Sequence, residues 1–210
     1  MAHSSYKSLK KWAEIEIIEK KSRFLGYAGP LEDPEAAVEK LEEIRALHPQ
    51  ATHHVSAWRF ALETFYQRYS DDGEPQGTAG KPVLDVLVQE ELSECGIIVV
   101  RYFGGIKLGA GGLVRAYSAA AATAVREAEV CQYERRSFYR LEAPYHLREQ
   151  LWYKLDQLQS IQSSPDYGES VVWEFAPPPA AVEKAQMLIQ ELSCGTLTPE
   201  LLDERYVAID

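Results

Sequence analysis

Five glycines fall within nine residues, at Gly104, Gly105, Gly109, Gly111 and Gly112, and Arg101, Lys107 and Arg115 surround them. Glycine accepts positive φ and lets a ligand approach the backbone closely. A glycine-rich turn leading into a helix leaves main-chain N–H groups uncovered at the positive end of the helix, where they can hold an anion. The chemistry on offer is recognition of phosphate or carboxylate, with Tyr102 and Phe103 beside it as surfaces for stacking a base or a peptide side chain. A second loop, Ser70 to Gly80, carries acid instead: Asp71, Asp72 and Glu74. Three carboxylates in four residues can bind Mg²⁺ or exchange protons, and Asp-Gly is equally ordinary turn chemistry. Gly77, Thr78 and Gly80 continue this loop, Lys81 follows it, and His53 opens a strand upstream of it.

Several reactions lack their signatures. Neither loop has the Gly-Lys-Ser/Thr ending of a phosphate-binding P-loop, because Gly80-Lys81 is followed by Pro82. Neither has a GxGxxG pattern with an acid about 20 positions on. His53 and His54 are adjacent on a strand, so their side chains point to opposite faces and cannot easily share a metal. No serine stands in a G-x-S-x-G elbow. Cys95, Cys131 and Cys194 are widely separated, odd in number and without metal spacing, which predicts three reduced thiols. The expectation is therefore no catalytic residue, no metal and no cofactor. Tight turns with close helix–sheet packing, an anion site and a phosphoryl-transfer site all stay open for the glycine loop.

The elements that would position these loops can be read from periodicity. Ala13 to Ile18 alternates apolar and charged residues as a half-buried strand does. A turn at Lys20-Lys21-Ser22 leads to a second strand, Phe24 to Ala28. Asp33-Pro34-Glu35 is a helix start, and Ala37, Val38, Leu41, Ile44 and Leu47 keep helical spacing up to His48-Pro49. Val55–Leu62 and Phe65–Ser70 are strands joined at Glu63-Thr64. The acidic loop then delivers the chain into an apolar helix, Val83–Val88. Ile97–Phe103 is a buried strand, and the glycine loop opens an alanine-rich helix, 113–128. From Ser137 the order is strand, helix, two strands, helix, strand, a βαββαβ arrangement. The charged run Glu134-Arg135-Arg136 is the expected hinge between domains 1–134 and 137–210.

Charge is divided unevenly. The chain has 210 residues and a formal net charge of −10. Residues 137–210 hold 5 lysines and arginines against 12 acids, and residues 1–136 hold 17 against 20. The C-terminal third should repel a phosphate backbone, so a polyanion would have to be met by a local patch on the N-terminal part. Apolar runs such as Ala119–Val125 are far shorter than the ~20 residues that cross a bilayer, and the first residues lack the apolar core of a signal peptide. A cytoplasmic protein of unknown oligomeric state is expected.

Four segments together resemble the YigZ/IMPACT family: Lys21 to Phe24, Ala51 to His54, Tyr69 to Pro82 and Val99 to Tyr117. The resemblance covers roughly residues 10–130, and the C-terminal part is similar to the extra domain of bacterial members. It implies an α+β protein, with a ribosomal-protein S5 domain 2-like N-terminal domain followed by a ferredoxin-like one. Eukaryotic members are linked to translational control during amino-acid starvation through protein partners. The implied role is a non-enzymatic translation-associated factor that binds RNA, the ribosome or a regulatory protein through His53, Ser70 to Lys81 and Arg101 to Arg115. Two alternatives remain: a kinase-like enzyme cradling phosphates at 104–112, and a pure protein-interaction module. Ile106 stands where the family often has threonine, which removes a hydroxyl from that position.

Overall fold

A computed structural model describes residues 4–62 and 65–209; the predicted join at Glu63-Thr64 lies outside them. The chain divides into two units, Met1–Tyr133 with Ala208–Asp210, and Glu134–Val207.

The first unit is built on a five-stranded sheet. Its strands are β2 (Ala13–Glu19), β3 (Ser22–Pro30), β4 (His53–Phe60), β5 (Tyr66–Ser70) and β6 (Cys95–Tyr102), in the order β2-β3-β6-β4-β5 with every neighbouring pair antiparallel. The central strands are apolar on both faces because helices cover both. Phe24, Ala28, Val55, Ala57, Ile97 and Val99 join the core made with α2 (Gly80–Gln89) and α3 (Ala110–Glu127). Residues of the opposite parity, among them Leu25, Tyr27, Trp58, Ile98 and Val100, join Leu41 and Ile44 of α1 (Pro34–Leu47). This is the period-2 division of a strand's side chains. α1 begins where its cap predicts: the Asp33 carboxylate accepts from Ala36 N–H at 2.7 Å, with Pro34 in the first turn. A short strand, β1 (Ser5–Leu9), precedes these elements; its polar composition hides it in the sequence.

The second unit draws on β7 (Val130–Ala143), α4 (Tyr145–Gln157), β8 (Ile161–Gln162), β9 (Asp166–Tyr167), β10 (Val171–Ala176), a 3₁₀ turn at Pro179–Ala181, α5 (Val182–Leu192) and β11 (Glu200–Ile209). β10 pairs antiparallel with β7, β8 and β9, and β11 pairs with β7. Leu151 and Leu155 of α4 and Ala185 and Ile189 of α5 bury Leu141, Trp173 and Phe175.

The two units divide between Tyr133 and Glu134, at the charged run Glu134-Arg135-Arg136. That run lies inside β7, a continuous strand of 14 residues, so the strand expected from Phe138 is corrected to begin at Val130. Within this run Arg135 is exposed and Arg136 is buried, its guanidinium donating to Glu134 and to the main-chain oxygens of Gln159 and Ala176. No helix among the described residues is long and apolar enough to cross a membrane.

Candidate functional site

Helix α2 begins under the acidic loop, and the carboxylates close that loop from within. Asp71 accepts from Gly77 N–H at 2.7 Å, Ala79 N–H at 3.1 Å and Gly80 N–H at 2.8 Å. It thus satisfies donors at the start of α2 that the helix itself leaves unpaired. Asp72 turns the other way, accepting from His54 N–H at 2.6 Å and from Arg45 at 3.3 Å. Its own carbonyl accepts from His53 Nδ1 at 2.8 Å, so that nitrogen carries the proton. Ser70 Oγ accepts from Asp72 N–H, and the Thr78 hydroxyl donates to Pro75 C=O at 2.6 Å. Lys81 is paired with Asp85 one turn along α2.

Glu74 is buried beneath the same loop. Its Oε1 accepts from Arg101 Nη1 and from the Tyr117 hydroxyl at 2.7 Å, and His53 Nε2 stands 3.7 Å away. Burial first, and then the Glu74 charge, push the Tyr117 hydroxyl far above the ordinary tyrosine range. Arg101 is 5% exposed, against the expectation that it lends open charge to the glycine loop. The reason is strand parity. Arg101 continues the face of Ile97 and Val99, which is covered by α2 and α3. The three clustered acids therefore diverge to three sets of partners, and none faces another across a shared cavity. Among the described residues no group of histidine, cysteine or acidic side chains converges in a way that could hold a metal.

The second loop is open. Tyr102 is occupied: its hydroxyl bonds His48 Nδ1 at 2.9 Å, while His48 Nε2 meets the Tyr27 hydroxyl at 2.7 Å. Beyond it the chain emerges. Phe103 is 47% exposed, its N–H held by Thr52 Oγ1 at 3.1 Å. Gly104 presses on the β2–β3 turn so closely that a Cβ there would lie 2.0 Å from the Lys21 carbonyl, and its N–H donates to Ser22 Oγ at 3.2 Å. Gly105, Ile106 and Lys107 are exposed.

Gly109, at φ +75°, is the residue before α3, and Gly111 and Gly112 belong to the first helical turn rather than to the loop. No side chain among the described residues accepts from Ala110, Gly111 or Gly112 N–H, and the first turn contains no acid. Arg115 leans back along the helix: a Cβ at Gly111 would be 3.6 Å from its Nη1. Neither Lys107 nor Arg115 has a side-chain hydrogen bond or ion-pair partner among the described residues.

Two residues outside the predicted set stand here. Lys20 and Lys21 are the two central residues of the β2–β3 hairpin, between the paired Glu19 and Ser22. Both have positive φ, +45° and +66°. That geometry favours Asn-Gly, and a left-handed conformation costs an ordinary L-residue roughly 1–2 kcal/mol. Lys20 also lines a groove of about 260 Å³ with Ile17, Glu19, Gly112, Arg115 and Ala119. The sequence signal is the doublet at a turn, with Lys21 opening one of the segments that resemble the family.

A mixed α/β chain of two units, with one open and one closed glycine loop at helix starts, is the class the geometry defines. The Impact N-terminal domain model matches residues 20–125, the span holding both loops. IMPACT family member YigZ of Escherichia coli (strain K12) is 36% identical over 196 residues, 91% of this chain and 96% of that protein. IMPACT family member YvyE of Bacillus subtilis (strain 168) is 36% identical over 174 residues, 83% of this chain and 80% of that one. A solved structure described as a hypothetical protein matches with a TM-score of 0.62 at 34% identity, covering 97% of this chain and all of that one. The chain belongs to the IMPACT family.

Proposed function

We propose that this protein is a non-enzymatic, translation-associated regulatory factor that meets its partner through residues 103–115 of the N-terminal unit. The observation that carries the reading is the open start of α3. Among the described residues its first N–H groups have no side-chain acceptor and Lys107 and Arg115 have no ion-pair partner, and Phe103 and Ile106 present exposed apolar surface in the same loop. Such a surface recognises an anionic group and something flat or apolar next to it. RNA, the ribosome and an acidic regulatory protein all offer that combination. Membership of the family supports the link to translation, since its eukaryotic members are associated with that process.

The kinase-like alternative is disfavoured by occupancy. Asp71 and Asp72, its metal-ligand candidates, already accept main-chain N–H groups and an arginine. The finer fold assignments belong to the same reading. An S5 domain 2-like class for residues 1–134 is supported by the strand order β2-β3-β6-β4-β5, and a ferredoxin-like class for residues 137–210 by the succession of strands and helices. Crosslinking the protein in cells and identifying the recovered RNA and protein together tests the function. Wild type should capture translation components through the loop, and Lys107→Glu with Arg115→Glu should lose them while the melting temperature stays within a few degrees. Equal capture by both proteins would refute the reading.

A further inference from the structure

The β2–β3 turn adds two cations to the open loop, and their placement selects a ligand. Lys20 and Arg115 line one groove beside α3, and Glu19 is the acid that lines it with them. Lys21 is fixed against the loop by the contact of its carbonyl with Gly104 and by Ser22 Oγ, which accepts from Gly104 N–H. Lys107 follows in the loop itself. All four cationic side chains are exposed, and none has a side-chain partner among the described residues. Their gathering is notable in a chain of net charge −10. The groove, at about 260 Å³, is smaller than the roughly 300–1,000 Å³ pockets that enclose small ligands. Its lining has no aromatic side chain, so nothing there sandwiches a nucleobase. The exposed ring, Phe103, lies beyond the groove on the far side of Gly104 in the chain. Cations spread over a turn, a loop and a helix, with an exposed ring preceding the loop in the chain, suit an extended chain of phosphates that carries unpaired bases.

We infer that Lys20, Lys21, Lys107 and Arg115 form one track for the phosphates of single-stranded RNA, with Phe103 as a stacking surface for a base. This inference rests on the reading that the 103–115 loop is the binding surface, and it adds the hairpin turn and the ligand class. Four phosphate contacts on a single strand give a slope of log affinity against log salt of about −2.8, at roughly 0.7 per phosphate.

The turn offers a test that does not endanger the fold. Lys20→Asn with Lys21→Gly removes both charges and installs the pair that positive φ favours, so the variant should melt no lower than wild type. Binding of the full chain to a fluorescent oligouridylate of about twelve nucleotides, within the usual site sizes for single strands, is measured across a salt series. The variant should bind about tenfold or more weakly at low salt, with a slope of about −1.4. Inorganic phosphate or AMP at matched phosphate concentration should fail to displace the oligonucleotide; efficient displacement would mean a site for a mononucleotide and would overturn the inference. Unchanged binding by the turn variant, with loss in Lys107→Glu/Arg115→Glu, would refute the role of the turn and leave the loop reading standing. Absence of RNA binding by the wild-type chain, with loop-dependent capture of protein in cells, would refute the ligand class alone. Loss of neither ligand in the loop variant would bring down both.

Discussion

At the start of α2 the N–H groups of Gly77, Ala79 and Gly80 converge on the Asp71 carboxylate; at the start of α3 no side chain among the described residues reaches those of Ala110, Gly111 or Gly112. Both segments are rich in glycine and both feed a helix. One contains its own anion, and the other surrounds the same kind of helix end with cations. An anion at a helix start stabilises it by roughly 0.3–1 kcal/mol, and satisfied donors add to that. Leaving α3 without either forgoes stability that the neighbouring loop has taken. The difference teaches where to look for a ligand: glycine content is shared by the two loops, and only the unsatisfied one can offer its N–H groups to another molecule.

The closed loop should break most severely at Glu74. Glu74→Ala leaves the Arg101 guanidinium buried without its carboxylate and removes the acceptor of the Tyr117 hydroxyl. Loss of one partner of a buried pair typically costs 3–5 kcal/mol. Urea unfolding should show a loss of about that size; a loss under about 1 kcal/mol would mean that water replaces the carboxylate and that the loop is not closed from below. Asp71→Ala comes next. Three N–H groups lose a charged acceptor at once, and the expected cost is about 2 kcal/mol, at the upper end for helix caps. Asp71→Asn keeps one acceptor oxygen and should recover about half of that loss.

These two residues also mark how far the sequence could be read. The order of strands and helices was legible because apolar positions kept periods of 2 and 3.6 and because Asp33-Pro34 announced the start of α1. Both loops were found from glycine and charge. What could not be read was the direction of each charged side chain. Arg101 stands one residue before Tyr102 and two before an exposed Phe103, which groups it with the open cations; its parity with Ile97 and Val99 places it under the helices instead. Glu134 to Arg136 makes a related point: the two units divide at this run, yet main-chain oxygens and Glu134 hold the buried Arg136 inside a strand. Lys20 and Lys21 were seen as a turn. That Lys21 abuts Gly104 depends on β3 pairing with β6, which is tertiary information.

The comparison can be sharpened by giving α3 what α2 already has. Ala110→Asp places a carboxylate in the first turn of α3, at an exposed position with no acid nearby in that turn. The helix dipole should make the variant more stable by about 0.5 kcal/mol. If the open end is a ligand site, the same substitution should abolish capture of the partner. Greater stability with lost binding would be the signature of a site left open for function, whereas greater stability with unchanged binding would show that the open end is incidental.

The smallest expected effect lies at His54, beside the closed loop. Its main-chain N–H is held by Asp72, and its Nε2 lies 3.2 Å from the His48 carbonyl, to which it donates. Burial lowers the His54 pKa below the ordinary histidine value; the His48 carbonyl bond and the Asp72 charge oppose this and do not cancel it. The sign follows from which state takes up the proton. In the unfolded chain His54 protonates near pH 6.5, and in the folded chain only at lower pH. Between those values the unfolded state binds more protons, so the contribution of His54 is complete above about pH 6.5 and declines as pH falls towards the folded pKa. His54→Gln retains a side-chain N–H donor and cannot titrate. Melting temperatures of wild type and variant should run parallel above pH 7, and wild type should fall relative to the variant as the pH is lowered to about 5.5. A gap that stays constant across this range would show that His54 takes up its proton equally in the folded and unfolded states, and would remove it from the groups through which acid loosens the closed loop.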